Sequence, residues 1–152
     1  MKIGIISDTH NNWANFKKVL DWMNKNDVEE VLHCGDIQTQ EMIDNSQKLF
    51  NGNITFAKGN GDFNLEIPEV VEKEIAKKKI AFCHFPEVAK KLAQSGKFDL
   101  VFYGHTHRPW DEKIDGCHMV NPGELAGQFN KPTFAVYNTE TENLELKILE
   151  KI

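Results

Sequence analysis

The sequence predicts an α/β fold with a parallel first half and a more antiparallel second half. Three observations carry that prediction. Over residues 2–57, short apolar runs alternate with amphipathic helical stretches across polar loops. This order favours parallel strands covered by helices. From residue 70 onward the apolar runs come closer together, with a single helical stretch among them. Finally, residue types that ligate metals stand just after several apolar runs. Open α/β sheets build their sites at the carboxyl ends of strands.

Residues 2–6 read as the first strand, which stops at Ser7-Asp8. Asn11 or Asn12 can cap a helix with Trp13, Phe16, Val19, Leu20 and Met23 on one face. The second strand is 30–33 and ends at Gly35-Asp36. A helix over 39–49 turns Met42, Ile43 and Leu49 inward, and the third strand, 54–57, ends at Lys58-Gly59-Asn60-Gly61-Asp62. Strands 70–75 and 79–83 pair around Lys77-Lys78-Lys79, a solvated hairpin tip. A helix over 87–95 ends at Gly96. The apolar run 98–103 then leads into Gly104-His105-Thr106-His107. If 105 and 107 continue in extended form, alternation places both imidazoles on one side. Strands follow at 110–115, 118–120, 133–138 and 144–149, with a loop containing Asn121-Pro122-Gly123 and Gly127. No repeat, low-complexity tract or linker interrupts the chain, so one domain over 1–152 is expected.

Composition narrows the function. Of 152 residues, 27% are charged and the net charge is −5, which disfavours a dedicated nucleic-acid grip but not a small phosphorylated substrate. Cys34, Cys83 and Cys117 form no C-x-x-C pair and read as reduced, buried thiols of a cytoplasmic protein. The first residues read as a strand rather than a signal peptide. No apolar run approaches the ~20 residues of a membrane span. Nothing in the pattern excludes a homo-oligomer.

Asp8 and His10, then Asp36, Asn60, His84, and finally His105 and His107 stand at five successive strand ends. Singly, each has an ordinary explanation: a cap, a turn, a satisfied core histidine. Together they offer two carboxylates, an amide and four imidazoles, more than one small cation needs. They suit two divalent cations sharing a carboxylate, ~3.5–4 Å apart. Mixed nitrogen and oxygen donors fit Mn²⁺, Zn²⁺, Fe²⁺ or Ni²⁺ rather than Ca²⁺ or an iron–sulfur cluster. Asn11 and Arg108 are further candidates for contacting a substrate phosphate.

Asp8-x-His10, Gly35-Asp36, Gly59-Asn60-Gly61-Asp62, His84 and Gly104-His105-x-His107 follow the order of the calcineurin-like metallophosphoesterase signature. With its length and the Asn121-Pro122-Gly123 loop, the chain resembles the small, single-domain bacterial and archaeal phosphodiesterase branch. The resemblance implies a four-layer sandwich of two mixed sheets flanked by helices. It implies a first metal on Asp8, His10 and His107, a second on Asn60, His84 and His105, and Asp36 bridging them, with Mn²⁺ the leading choice. Asp36, Asn60 and His10 are then the residues that carry catalysis. A metal-bridging hydroxide would attack a phosphodiester and Asn60 would help orient the phosphate. The alternative is a protein-binding scaffold on the same fold, as in the retromer subunit that resembles this family. Such a scaffold is expected to lose ligands, whereas all seven are present.

Two departures from the pattern bear on chemistry. Gly61 stands where the resemblance leads one to expect histidine or cysteine, so the usual candidate for protonating the leaving group is absent. General acid catalysis is typically worth ~10²–10⁴-fold, so good leaving groups should be favoured. Asp62, beside it, is expected to support the asparagine loop. Phe85 replaces a glycine after His84, either packing in the core or adding bulk beside the site.

Overall fold

The computed structural model describes residues Met1–Ile152. Strands are β1 (Lys2–Ile6), β2 (Val28–His33), β3 (Asn53–Phe56), β4 (Val70–Ile75), β5 (Lys78–Cys83), β6 (Leu100–Phe102), β7 (Trp110–Ile114), β8 (Cys117–Asn121), β9 (Thr133–Asn138) and β10 (Asn143–Ile148). Helices are α1 (Trp13–Lys25), α2 (Gln40–Leu49) and α3 (Pro86–Gln94), followed by a closing 3₁₀ turn at Leu149–Lys151. Two five-stranded sheets form, in the orders β10-β9-β1-β2-β3 and β4-β5-β6-β8-β7.

Strand alternation explains the layering. In β1, Ile3 and Ile5 join one apolar cluster while Ile6 joins another. In β6, Leu100 and Phe102 face one way and Val101 the other. The cluster holding Ile3, Ile5, Leu32, Phe82, Phe102 and Tyr137 lies between the two sheets. A second cluster packs Phe16, Val19, Leu20 and Met23 of α1 and Met42 and Ile43 of α2 on the outer face of the first sheet. A third packs Ala89 and Ala93 of α3 on the second sheet. Three interlayer cores make four layers: helix, sheet, sheet, helix. Gly4 faces α1 because a Cβ there would lie 2.5 Å from Met23 Cε.

The second half is the more antiparallel one, as the sequence predicts, but it keeps a parallel centre. β5, β6 and β8 are parallel to one another, while β4 pairs antiparallel with β5, β7 with β8, and β9 with both β1 and β10. β9 and β10 also return to the first sheet, beside β1. Period-2 alternation reports which face a residue takes but not strand direction, so the parallel β5-β6-β8 centre carries no local signal of its own. Leu149 leaves the β10 pattern and is buried against the first helical cluster. No helix is long and apolar enough to cross a membrane.

Six parallel strands therefore end at carboxyl termini followed by polar loops: β1, β2 and β3 in one sheet, β5, β6 and β8 in the other. Those loops build the site.

Candidate metal centre

The backbone at these strand ends is unusual. Asp8, His10, Asp36, His105 and His107 all have positive φ, between 45° and 72°. Such non-glycine conformations cost of order 1 kcal/mol each and cluster at functional sites. β6 stops at Phe102, so His105 and His107 are not extended as the sequence suggested. They are left-handed turn residues whose imidazoles nonetheless enter the same site. Thr106 between them turns away, and its hydroxyl accepts from Asn121 Nδ2 at 3.0 Å.

Two donor groups converge. In the first, His107 Nε2 lies 3.2 Å from both Asp8 Oδ1 and His10 Nε2. In the second, His84 Nε2 lies 2.9 Å from Asn60 Oδ1 and 3.2 Å from His105 Nδ1. Asp36 Oδ2 stands between them, 3.5 Å from His10 Nε2 and 3.5 Å from His84 Nε2. Asp8 Oδ1 also borders the second group, 3.9 Å from His84 Nε2. Donors held at about 2.0–2.2 Å from one ion are themselves roughly 3.0–3.4 Å apart. All seven candidates from the sequence are thus brought together.

The remaining atoms of these side chains are occupied in the sense metal binding requires. Asp8 Oδ2 accepts from Ser7 Oγ at 2.7 Å and from His105 N–H at 3.0 Å. Asp8 Oδ1 is the one buried side-chain polar atom with no partner. Buried orphans are rare, and an ion is a standard explanation. Asp36 Oδ1 accepts from Gly61 N–H at 2.7 Å, which leaves Oδ2 free. His84 Nδ1 lies 2.8 Å from the Cys34 carbonyl and His107 Nδ1 lies 2.9 Å from Glu124 Oε2. Both partners are acceptors, so both rings carry hydrogen on Nδ1 and present the Nε2 lone pair inward, the usual arrangement of ligating histidines. His10 Nδ1 meets the Gln38 amide at 3.0 Å, and donates to it once the amide is oriented with its oxygen toward the ring.

Burial pushes the Asp8 carboxyl up. His10, His107, Ser7 and the charge of His84 outweigh that and hold it well below the usual carboxylate range. Asp8 Oδ1 also raises His107, against the lowering effect of burial.

Close backbone packing keeps the donors in place. A Cβ on Gly104 would lie 1.9 Å from Ser7 Oγ and 2.6 Å from Asp8 Oδ2. One on Gly59 would lie 2.2 Å from Asp36 Oδ1. Asp62, fully buried, supports this region as the sequence led us to expect. It accepts from the N–H groups of Asp36 and Gly59 at 2.8 Å and of Gln38 at 2.6 Å. His33, outside the signature, braces two loops: Gly35 N–H donates to its Nδ1 at 3.2 Å and its Nε2 meets Thr9 Oγ1 at 2.7 Å. Burial pushes it down to about 3, so it stays neutral.

Other expectations resolve plainly. Asn12 and not Asn11 caps α1, accepting from Asn15 N–H at 3.1 Å. Asn11 is exposed and accepts from Thr39 Oγ1 at 3.1 Å. Phe85 is not a core residue. Its half-buried ring lies 5.1 Å from that of His84 and 5.0 Å from that of His105. The three cysteines are free and buried, and burial pushes Cys83 up to about 12, so none offers a thiolate. His118 pairs with Asp111 away from the site.

The residue that sequence reasoning missed is Glu124. It follows the Asn121-Pro122-Gly123 loop after β8, is fully buried, and orients His107. The need of every ligating histidine for an acceptor on its outer nitrogen would have pointed there.

The model of the calcineurin-like phosphoesterase superfamily domain matches residues 1–142. The chain belongs to the calcineurin-like phosphoesterase superfamily. Relatives of this phosphoesterase include a phosphodiesterase of Methanocaldococcus jannaschii, 35% identical over 99% of this chain and all of that protein. A probable metallophosphoesterase of the same organism is 35% identical over 81% of this chain and 67% of that one. Among solved structures, an archaeal phosphodiesterase superposes with a TM-score of 0.89 at 33% identity, covering 97% of this chain and 99% of the other. Vps29 of Entamoeba histolytica, solved with zinc, shares the fold with a TM-score of 0.75 at 19% identity, covering 98% and 99% of the two chains. Family membership makes the chain a metal-dependent phosphate-ester hydrolase.

Proposed function

We propose that this phosphoesterase is a dinuclear phosphodiesterase acting on a small phosphodiester, with the whole chain forming one catalytic domain. The observation that carries the reading is the unpartnered Asp8 Oδ1, buried among imidazole nitrogens whose outer atoms are held by acceptors. Asp8, His10 and His107 would hold the first metal and Asn60, His84 and His105 the second, with Asp36 shared between them. The mixed nitrogen and oxygen donors favour Mn²⁺, with Zn²⁺, Ni²⁺ and Fe²⁺ as competitors. Bound there, two divalent cations neutralise the phosphate charge and lower the pKa of a water to near neutrality.

The chain's own groups then position the reactants. Asn60 uses Oδ1 inward, 3.2 Å from His105 Nδ1, while its exposed Nδ2 is free to donate to a phosphate oxygen. Arg108 and Asn11 lie beside ligating residues, and Arg108 supplies a permanent planar cation for the same phosphate. Hydrolysis forms one P–O bond from water and breaks the P–O bond to the leaving group. One water proton ends on the leaving oxygen and the other is released from the product phosphate. Gly61 contributes no acid to that step. Buried, free thiols favour a reducing compartment, which supports a cytoplasmic location.

Metal analysis after loading should find two ions per chain, and bis(p-nitrophenyl) phosphate should be hydrolysed. Asp36→Asn should lower the rate by at least ~10²-fold, since it removes charge shared by both ions. His107→Ala should deplete mainly the first ion and His105→Ala mainly the second. A protein that takes up no ion at millimolar Mn²⁺ would defeat the reading and favour a binding scaffold on this fold.

A further inference from the structure

Beside the donor groups lies a cavity of about 350 Å³ lined by His105, Thr106, His107, Arg108, Phe129 and Asn130. Its contents are unusual for the surface of this chain. Arg108 is the only arginine among 18 basic residues. Its guanidinium forms no ion pair, although the chain carries 23 carboxylate side chains. Phe129, like Phe63, is more than three-quarters exposed, at 79%, and of the two it is the one that lines this cavity. Its ring stands 5.2 Å from that of His107, tilted by 58°.

The backbone that carries Phe129 is tied down. The buried Glu124 accepts from the N–H groups of Gln128 at 3.0 Å, Phe129 at 2.7 Å and Asn130. Asn130 Nδ2 donates to the His107 carbonyl at 3.0 Å. One carboxylate thus fixes both the His107 ring and the loop that displays Phe129. An exposed phenyl on a fixed loop, an unpaired guanidinium and the donor cluster face one cavity. Together they suit an anion attached to a flat, apolar group.

We propose that the substrate is a phosphodiester bearing a planar aromatic substituent of about mononucleoside size, stacked on Phe129, with Arg108 on the phosphate. This rests on the phosphodiesterase reading and narrows its substrate class. The volume sits at the low end for ligand pockets and suffices for one ring system and its sugar. Stacking of a base on an aromatic side chain is sequence-tolerant, so a simple aryl group and a nucleobase share the chemistry.

The test is calorimetric titration of the Mn²⁺-loaded protein with methylphosphonate, phenylphosphonate and thymidine 5′-monophosphate. The two aromatic anions should bind about tenfold more tightly than methylphosphonate. Tighter binding of the thymidine ligand than of phenylphosphonate identifies a nucleoside substituent, and the reverse a simple aryl one. Phe129→Leu, apolar but not aromatic, should bring all three within about twofold, while Phe129→Trp should keep the preference. Equal binding of the three ligands by the natural protein, or an undiminished preference in Phe129→Leu, would overturn the proposal. Hydrolysis of bis(p-nitrophenyl) phosphate, run in parallel, separates the two ideas. Turnover without aromatic preference removes the pocket alone, and aromatic preference without turnover removes the hydrolase.

Discussion

Glu124→Gln is the perturbation that asks most of this structure. The wild-type carboxylate is fully buried and receives four donors, two on each oxygen: His107 Nδ1–H and Gln128 N–H on Oε2, Phe129 and Asn130 N–H on Oε1. Glutamine has the same shape, but one of its two positions becomes an NH₂ donor. Whichever way the amide turns, two donors face a donor and lose their acceptor. Unpaired buried groups cost about 1–3 kcal/mol each. Residues 127–130 are exposed and can recruit water on one side, so a loss near the lower end, about 2 kcal/mol, is expected from denaturant unfolding of the metal-free protein. His107 also loses the acceptor that fixes its tautomer. Removing such a partner lowers metal affinity by about 10–100-fold, and the first ion should show it in a Mn²⁺ titration while the second is largely spared. Wild-type stability together with wild-type affinity for both ions would refute the assignment of Glu124 as the group that positions His107.

Three further outcomes follow from other parts of the site. Gly104→Ala places a Cβ against Ser7 Oγ and Asp8 Oδ2, so it should displace Asp8 and abolish uptake of at least one ion, measured by metal analysis of the purified variant. His33 is held neutral in the folded protein down to about 3, whereas in the unfolded chain it titrates near 6.5. The unfolded state therefore takes up the proton first, and stability is full above pH 6.5 and falls as the pH drops toward 3. At about 1.4 kcal/mol per pH unit, roughly 2 kcal/mol is lost between pH 7.5 and 5. A His33→Asn variant whose stability falls just as steeply over that window would count against this. Gly61 lies on the site with a negative φ, and a Cβ there would come no closer than 3.2 Å to Asp36 Oδ1, so a side chain is admissible after a small shift. Gly61→His should raise the rate on alkyl diesters by ~10²-fold and change the rate on nitrophenyl diesters little. Equal gains on both would place the role of that residue elsewhere than in leaving-group protonation.

Nearly every element was legible because each carries a local signal. α1 announces itself by Phe16, Val19, Leu20 and Met23 at helical spacing, and β5 and β6 by apolar runs buried on both faces. Boundaries moved by only a residue or two, as at β2, which begins at Val28. Strand direction was legible in outline, parallel first and more antiparallel later, but the parallel placement of β5, β6 and β8 was not. A chain reading Trp110–Ile114 then Cys117–Asn121 shows a hairpin, but nothing local says that β8 will cross to lie parallel beside β6.

The ligand set was legible and its support was not, for one physical reason. A ligand must be histidine, aspartate or asparagine, a short menu that sequence displays openly. Its supporting partner need only be an acceptor at the right place, and a backbone carbonyl serves as well as a carboxylate. His84 uses the Cys34 carbonyl, which any residue would supply, whereas His107 uses the side chain of Glu124. The same carboxylate gathers three successive N–H groups of the loop that carries Phe129. Ligand geometry and loop position are therefore linked through one buried charge. A loop displaced by a stacked substrate ring would be felt at His107, and an ion bound by His107 would stiffen the platform on which that ring stacks.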